Sequence, residues 1–394
     1  MTTADLHHSL LTVDTHCDTT SRLAWQGFDL NRRYRADTLL GGDVDLPRMA
    51  EGGLKAAFFA VYVPQGPRTA EGFALAKATA GTILDRLDRL FLEHPDACAR
   101  ATAPGDAAAI AATGRRAIFL GMENGYPLGL DLELLDQYHG RGVRYLTLCH
   151  ATDNDLCASC TAYDGHMVPR TTPDTGLTEF GARVVARLNR LGMMVDVSHL
   201  SERTVDDVLA VSRAPVLASH SGARALGDHP RNLTDRQLRA IARAGGVVQV
   251  VFVPEFIRPV PRDLEGDRLH NELWSRVKAH YASVPVGADP ARDAALEEEH
   301  QDLCRRHPQH RVTVREVADH IDQVARVAGI DHVGIGSDFD GGARVEDCRD
   351  VSELPALTAE LVRRGYTEAD LGRIWGGNVL RVFGEVQARG RSQA

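Results

Sequence analysis

The stretch Met193–Gly222, MMVDVSHLSERTVDDVLAVSRAPVLASHSG, decides the fold. It holds two short, mostly apolar runs, Met193–Val197 and Pro215–Ala218, and a Ser-His pair closes each: Ser198-His199 and Ser219-His220. Between them Ser201 has the chemistry of a helix N-cap and Glu202 falls in the first turn. Val205, Val208 and Leu209 then recur at helical spacing. Strand, helix, strand is a parallel unit with a histidine at the carboxyl end of both strands. Loops at that end of an α/β sheet are where ligands bind. Two histidines delivered there by consecutive units point to a metal or catalytic site, with its other ligands at other strand ends.

Working outward, the same rhythm covers most of the chain. Leu10–Val13 leads into Asp14-Thr15-His16-Cys17-Asp18, where alternation puts His16 and Asp18 on one face and Cys17 on the other. Asp45-Leu46-Pro47 starts a short helix that Gly52-Gly53 stops. Leu54–Val63 reads as a strand buried on both faces, and the stripe Ala76, Ala80, Ile83, Leu84, Leu87, Phe91 as the core face of a helix over 73–93. Ala117–Leu120 ends in Gly121-Met122-Glu123-Asn124-Gly125, which brings a carboxylate to a strand end, and Val143–Leu148 ends in Cys149-His150. After His220, the loop His229-Pro230-Arg231-Asn232 carries Arg231, a candidate anion clamp. Thr234 and Gln237 form a capping box for the next helix. Val247–Val253 is the seventh strand.

Residues 254–311 break the pattern, with Pro259, Pro261, Pro285, Pro290 and an acidic helix-like run Ala294–His300. They read as a segment inserted over a barrel mouth. Their histidines, at 270, 280, 300, 307 and 310, show no ligand spacing and read as surface residues. A second capping box, Thr313 with Glu316, starts the helix before His332–Gly336. That strand ends in Ser337-Asp338-Phe339-Asp340, which places Asp338 and Asp340 on one face, either able to reach the site. Helices over 353–385 close the chain. Eight strands alternating with helices predict a (β/α)8 TIM barrel, one domain over 1–394. A doubly wound sheet would need a glycine-rich loop after its first strand, and DTHCDTT is not one.

Composition excludes several function classes. A chain of 394 residues with 43% hydrophobic and 25% charged residues has ordinary globular usage. Its net charge of −9 gives no basic footprint for nucleic acid. No apolar run approaches the ~18 residues of a membrane helix, and MTTADLHHSLL has neither the basic nor the apolar region of a signal peptide. Seven scattered cysteines suit a reducing cytoplasm better than a disulfide framework. Cys157-Ala158-Ser159-Cys160 lacks the second pair that a zinc ribbon requires.

The collected strand ends supply His16, Asp18, Glu123, His150, His199, His220 and Asp338. Four imidazoles and three carboxylates suit zinc or a similar divalent ion, and the number fits two ions better than one. A carboxylate can bridge two cations about 3.5–4 Å apart, and water between them ionises near neutral pH. A free carboxylate must then move the proton, and Asp338 is the natural choice.

These residues carry a family resemblance. The H-x-D at His16 and Asp18, Glu123 in GMENG, LTLCHATDN, VDVSHLS, APVLASHS, HPRNLTD, GIGSDFDG and IWGGNVLRVF together resemble the renal (membrane) dipeptidase family, in order from about Val13 to Phe383. These are binuclear zinc peptidases of the amidohydrolase-like barrels. The resemblance implies two Zn2+ per chain, bridged by Glu123 and a water or hydroxide. One lies on His16, Asp18 and Glu123, the other on Glu123, His199 and His220. It implies that His150 polarises the scissile carbonyl, Arg231 holds the substrate carboxylate and Asp338 shuttles the proton. The implied substrate is a dipeptide, with L-Xaa-D-Xaa among the candidates, and homodimerisation stays open. Two departures stand out. The family's usual DGHND is DTHCD here, and its Asn-Phe-Tyr on strand seven is Val251-Phe252-Val253, without the tyrosine. Another binuclear hydrolase on the same barrel, acting on β-lactams, N-acyl amino acids or phosphoesters, is the alternative. A barrel that binds metal or peptide without turnover is the remaining one.

Overall fold

A computed structural model of the chain describes residues 2–163 and 167–392. Eight strands follow one another around a single parallel sheet in chain order. They are β1 Val13–Cys17, β2 Ala56–Tyr62, β3 Arg116–Glu123, β4 Val143–Thr147, β5 Met194–Asp196, β6 Leu217–Ser221, β7 Val247–Val250 and β8 Val333–Ile335. Helices occupy the connections, as the parallel ladders require. The ring closes just beyond β8 and β1. There the Asp338 N–H donates to the His16 carbonyl at 3.0 Å and the Asp18 N–H to the Phe339 carbonyl at 2.8 Å. This closure, with strands in sequential order, is a (β/α)8 barrel and rules out the doubly wound alternative. A short strand, Cys98–Arg100, adds to β3 on the outside of the path.

Two apolar layers build the core. Inside the ring, Phe58, Phe119, Tyr145, Met194, Leu217 and Val247 fill the amino-terminal half. The Phe58 and Phe119 rings stack at 4.7 Å, and Phe383 of the last helix, Asn378–Arg391, packs its ring against both. That helix packs Val379, Val382, Phe383 and Val386 against this layer at the bottom of the barrel. Outside the ring, the predicted helical stripe is buried at Ala76, Ala80, Leu84 and Leu87. Both predicted capping boxes form, at Thr234 with Gln237 and at Thr313 with Glu316, and Ser201 caps its helix through the Thr204 N–H.

Three boundaries differ from the sequence reading. A helix, Thr3–Ser9, precedes β1, which starts at Val13 rather than Leu10. β6 starts at Leu217 because Pro215 has no N–H to give a ladder. Strand pairing also continues through the polar residues, so His16, Glu123 and His220 lie within strands rather than after them. The inserted segment is more ordered than its prolines imply. It holds helices Leu264–Tyr281 and Pro290–Arg306, the second much longer than the run Ala294–His300. Leu273, Val277, Tyr281, Leu296 and Leu303 pack with Trp25 and Leu39 from the segment after β1, in a satellite core of their own. A cavity of about 450 Å³ is lined by Val253 and Gly342 at the strand ends and by Pro259, Arg262 and His307 of the insert, which therefore overhangs the barrel mouth.

Among the described residues no helix is long and apolar enough to cross a membrane. All seven cysteines are free, and all but Cys304 are buried.

The segment between β1 and β2 is anchored by a buried cation. Arg48 has no exposed side-chain surface. It donates to Asp45 at 2.6 Å, to Asp350 at 2.9 Å and to the Gly41 and Gly42 carbonyls at 2.8 and 3.1 Å. Removing one member of such a set leaves uncompensated buried charge, at a cost of about 3–5 kcal/mol. Arg48→Ala is expected to lose that much stability in urea unfolding. A loss under ~1 kcal/mol would mean that the two carboxylates find water when the guanidinium is gone.

Candidate metal centre

The barrel mouth gathers the predicted strand-end residues around one carboxylate. Glu123, at the end of β3 and 2% exposed, presents its two oxygens to different neighbours. Oε1 lies 3.0 Å from His199 Nε2, 3.5 Å from His220 Nε2 and 3.8 Å from His150 Nε2. Oε2 lies 3.6 Å from His16 Nε2, which is 3.8 Å from Asp18 Oδ2. Two trios with mutually close ligand atoms thus share Glu123: His16 with Asp18, and His199 with His220. A third, His16, His220 and Asp338, overlaps both. Asp338 Oδ1 stands 3.9 Å from His16 Nε2, so distance alone leaves it free to act as a ligand or as an unligated base.

Several of these atoms are buried without a partner. His16 Nε2, Asp18 Oδ1 and His199 Nδ1 have no hydrogen-bond partner. Such groups are rare in native interiors unless an unseen water or ion completes them. His199 Nε2 and His220 Nε2 stand 2.9 Å apart, and two bare lone pairs do not hold that distance without a proton or a cation between them. The nitrogen and oxygen donor set suits a divalent cation of the zinc type. The residues present therefore fit metal ions.

The surrounding groups orient the imidazoles. The Tyr145 hydroxyl donates to the Thr15 carbonyl at 3.2 Å and accepts from His16 Nδ1 at 2.8 Å, so the lone pair of His16 sits on Nε2 and faces the cluster. His220 is set in the same way. Ser219 Oγ donates to Asp196 Oδ2 at 2.6 Å and accepts from His220 Nδ1 at 2.8 Å. Two carboxylates at the strand ends also tie neighbouring strands together. Asp196 accepts the Ser198 and Ser219 N–H groups, joining β5 to β6, and Asp14 accepts the His16 and Ser337 N–H groups, joining β1 to β8. Sequence reasoning assigned no role to Tyr145, Ser219, Asp14 or Asp196. The recurring Asp two residues before a polar residue, DTH and DVS, was the one local signal, since an aspartate there can accept the i+2 N–H.

Backbone conformation is forced at the site. His199 and Asp338 have φ of 68° and 65°, a left-handed region uncommon outside glycine, which histidine, aspartate and asparagine enter more often than other residues and which concentrates at functional positions. Burial, and then Arg231, pushes His199 well below its ordinary pKa; burial, and then His16, does the same to His220. His150 is pushed down to about 3, by burial first and Arg231 second, so it stays neutral. Burial raises the Asp18 and Asp338 carboxyls, with Glu123 adding to both.

Arg231 lies where the sequence put it, at the edge of the cluster. It is 3% exposed; Nη2 donates to the His220 carbonyl at 2.8 Å, and its guanidinium carbon sits 5.2 Å from the centre of the Phe256 ring. Its Nε–H has no partner, and among the described residues no carboxylate pairs with it. Asp340, by contrast, does not reach the site, which corrects the expectation that it shares a face with Asp338. The chain turns through left-handed φ at both residues, and alternation does not survive such a turn. Asp340 instead accepts from Thr19 at 2.8 Å, from the Asp43 N–H at 2.7 Å and from the Arg22 guanidinium. It thereby holds the turn that follows Asp18.

Comparisons with known proteins bear on the family and the fold. A family model described as membrane dipeptidase (peptidase family M19) matches residues 2–394. Dipeptidase tcpJ of Claviceps purpurea is 31% identical over 375 residues, 94% of this chain and 75% of that one. The crystal structure of the probable dipeptidase PvdM of Pseudomonas aeruginosa superposes with a TM-score of 0.79 at 33% identity, covering 98% of both chains. A Rhodobacter sphaeroides metallopeptidase, solved with a phosphinate mimic of the dipeptide L-Ala-D-Ala, gives 0.73 at 27% identity over 95% of this chain and 99% of that one.

The Tyr145 hydroxyl fixes which nitrogen of His16 faces the cluster. Tyr145→Phe is expected to weaken metal retention about 10–100-fold, the usual effect of losing a partner behind a ligand. Competition against a chelator measures it. Unchanged retention would show that Tyr145 only packs.

Proposed function

The chain belongs to the membrane dipeptidase family, peptidase family M19, and from that premise we propose a zinc-dependent dipeptidase that uses two cations and accepts L-Xaa-D-Xaa substrates. The observation that carries the substrate class is Arg231. A buried guanidinium with an unpartnered Nε–H and no carboxylate among the described residues calls for an anion. A dipeptide bound with its carboxylate on Arg231 brings its one peptide carbonyl to the cluster around Glu123. A longer peptide would carry its carboxylate past Arg231, so the arrangement measures length. The Rhodobacter relative holds a mimic of L-Ala-D-Ala, which supports the stereochemistry proposed here. The cytoplasmic setting, argued from scattered cysteines, belongs to the same proposal.

His16, Asp18 and Glu123 would hold one ion, and Glu123, His199 and His220 the other; when bound, the pair supplies Lewis acidity and a water ionised near neutral pH. The chain's own groups do the rest. His150, neutral because burial and Arg231 hold its pKa to about 3, donates a hydrogen bond to the carbonyl oxygen as negative charge develops there. Asp338 takes the proton from the attacking water as the new C–O bond forms. It then passes that proton to the amine as the C–N bond breaks. Arg231 keeps the substrate in register throughout.

Two experiments test this reading. Asp338→Asn is expected to retain the two mouth ions, holding as much metal as the wild type, while turnover falls about 10²–10⁴-fold. Loss of metal in that variant would make Asp338 a ligand, and a Cys304→Ser chain that saturates at one ion would remove the bridging role of Glu123. Arg231→Met is expected to lower kcat/KM for a dipeptide about 10–150-fold, the worth of one charge-assisted contact. Its slow cleavage of the amidated dipeptide should be unaltered. Equal losses on both substrates would refute the carboxylate clamp.

A further inference from the structure

The inserted helices bring together three groups that the mouth cluster does not use. His300 and Cys304 are four residues apart on the helix Pro290–Arg306 and so share a face. Cys304 Sγ lies 3.9 Å from His300 Nδ1 and 3.8 Å from Nε2. His270, from the helix Leu264–Tyr281, meets them from across the pair, its ring centre 6.4 Å from that of His300. One ligand atom of each of the three lies within 4.8 Å of the other two. The expectation that the insert's histidines lack ligand spacing is corrected here: the partner at helical spacing is a cysteine, and the third group comes from the other helix.

We propose that His270, His300 and Cys304 form an accessory site for one thiophilic divalent cation of the zinc class, tying the two inserted helices together above the barrel mouth. A tetrahedral zinc with bonds of about 2.0–2.1 Å to nitrogen and about 2.3 Å to sulfur sets its ligand atoms roughly 3.3–3.6 Å apart. The Sγ-to-imidazole distances are already within a few tenths of that range. His270 Nε2 contacts the His307 carbonyl at 3.3 Å. A carbonyl only accepts, so that nitrogen carries the hydrogen and Nδ1 carries the lone pair, the second-shell arrangement usual for a ligating histidine. Burial holds both imidazoles below their ordinary pKa, hence neutral. The thiol gives up its proton to solvent as the cation binds.

All three residues are half-buried, which leaves an entry path. His270 and His300 line a cavity of about 340 Å³ that runs to Asp340 and Gly341 at the end of β8. Sulfur separates this site from the mouth cluster, whose donors are all nitrogen and oxygen, and softer ligands select for thiophilic ions.

That difference supplies the test, which is independent of whether the protein cleaves dipeptides. The full-length chain, stripped with chelator, is titrated with cobalt(II) while near-ultraviolet cobalt–thiolate charge-transfer absorption is recorded. Ions held only by nitrogen and oxygen do not produce that band. The wild type is expected to develop it, Cys304→Ser to lose it, and His300→Ala, which keeps the thiol, to require at least ~10-fold more cobalt. Zinc content of Cys304→Ser should fall by one equivalent. Absence of the band in the wild type, or its survival in Cys304→Ser, overturns the proposal.

Discussion

Glu123 is buried with an imidazole from each of four other strand ends around it. Burying a carboxylate costs several kcal/mol unless charge and hydrogen bonds compensate. Here Asp18 and Asp338 lie close by, so acids accumulate where the field can least tolerate them. Such a cluster suits cations, and everything near it is arranged to keep the donors aimed inward. The barrel makes this possible because six of its eight strands deliver side chains to one ring at their carboxyl ends, although those residues are far apart in sequence.

Support for the ring is polar and is buried with it. Asp14 and Asp196 play matching parts at two seams, each accepting an N–H from its own strand end and another from the neighbouring strand. Their bonds set the height at which His16, Ser198 and Ser219 emerge. The strained φ values at His199 and Asp338 are held in place by this network, as strain at a working site must be. Below, the Phe58, Phe119 and Phe383 packing forms an apolar floor beneath the cluster.

Above the ring, the insert and the segment after β1 form a second layer. Asp340 couples the two levels. Its carboxylate is satisfied by Thr19, Arg22 and the Asp43 backbone, which fixes the turn carrying Asp18. The satellite core around Trp25 and Tyr281 then seats the inserted helices over the mouth. Position at the mouth is therefore inherited from packing some distance from Glu123.

Much of this was legible in the amino-acid order. Alternation and helical spacing marked the eight strands and their helices, capping boxes marked helix starts at Thr234 and Thr313, and histidines closing apolar runs marked the mouth. All of these are relations between residues two to four apart, which the backbone's own periodicities impose. The partners of the cluster residues were not legible. Tyr145 reaches His16 across 129 positions and Ser337 reaches Asp14 across 323. Nor was the separation of Asp338 from Asp340, which depends on a left-handed turn that alternation cannot foresee. His270 joins His300 and Cys304 only because two helices of the insert pack side by side. Local sequence determines which elements form and which face each side chain takes. Which faces meet is decided by closing the barrel and burying its layers, because only that long-range packing brings distant groups within bonding distance.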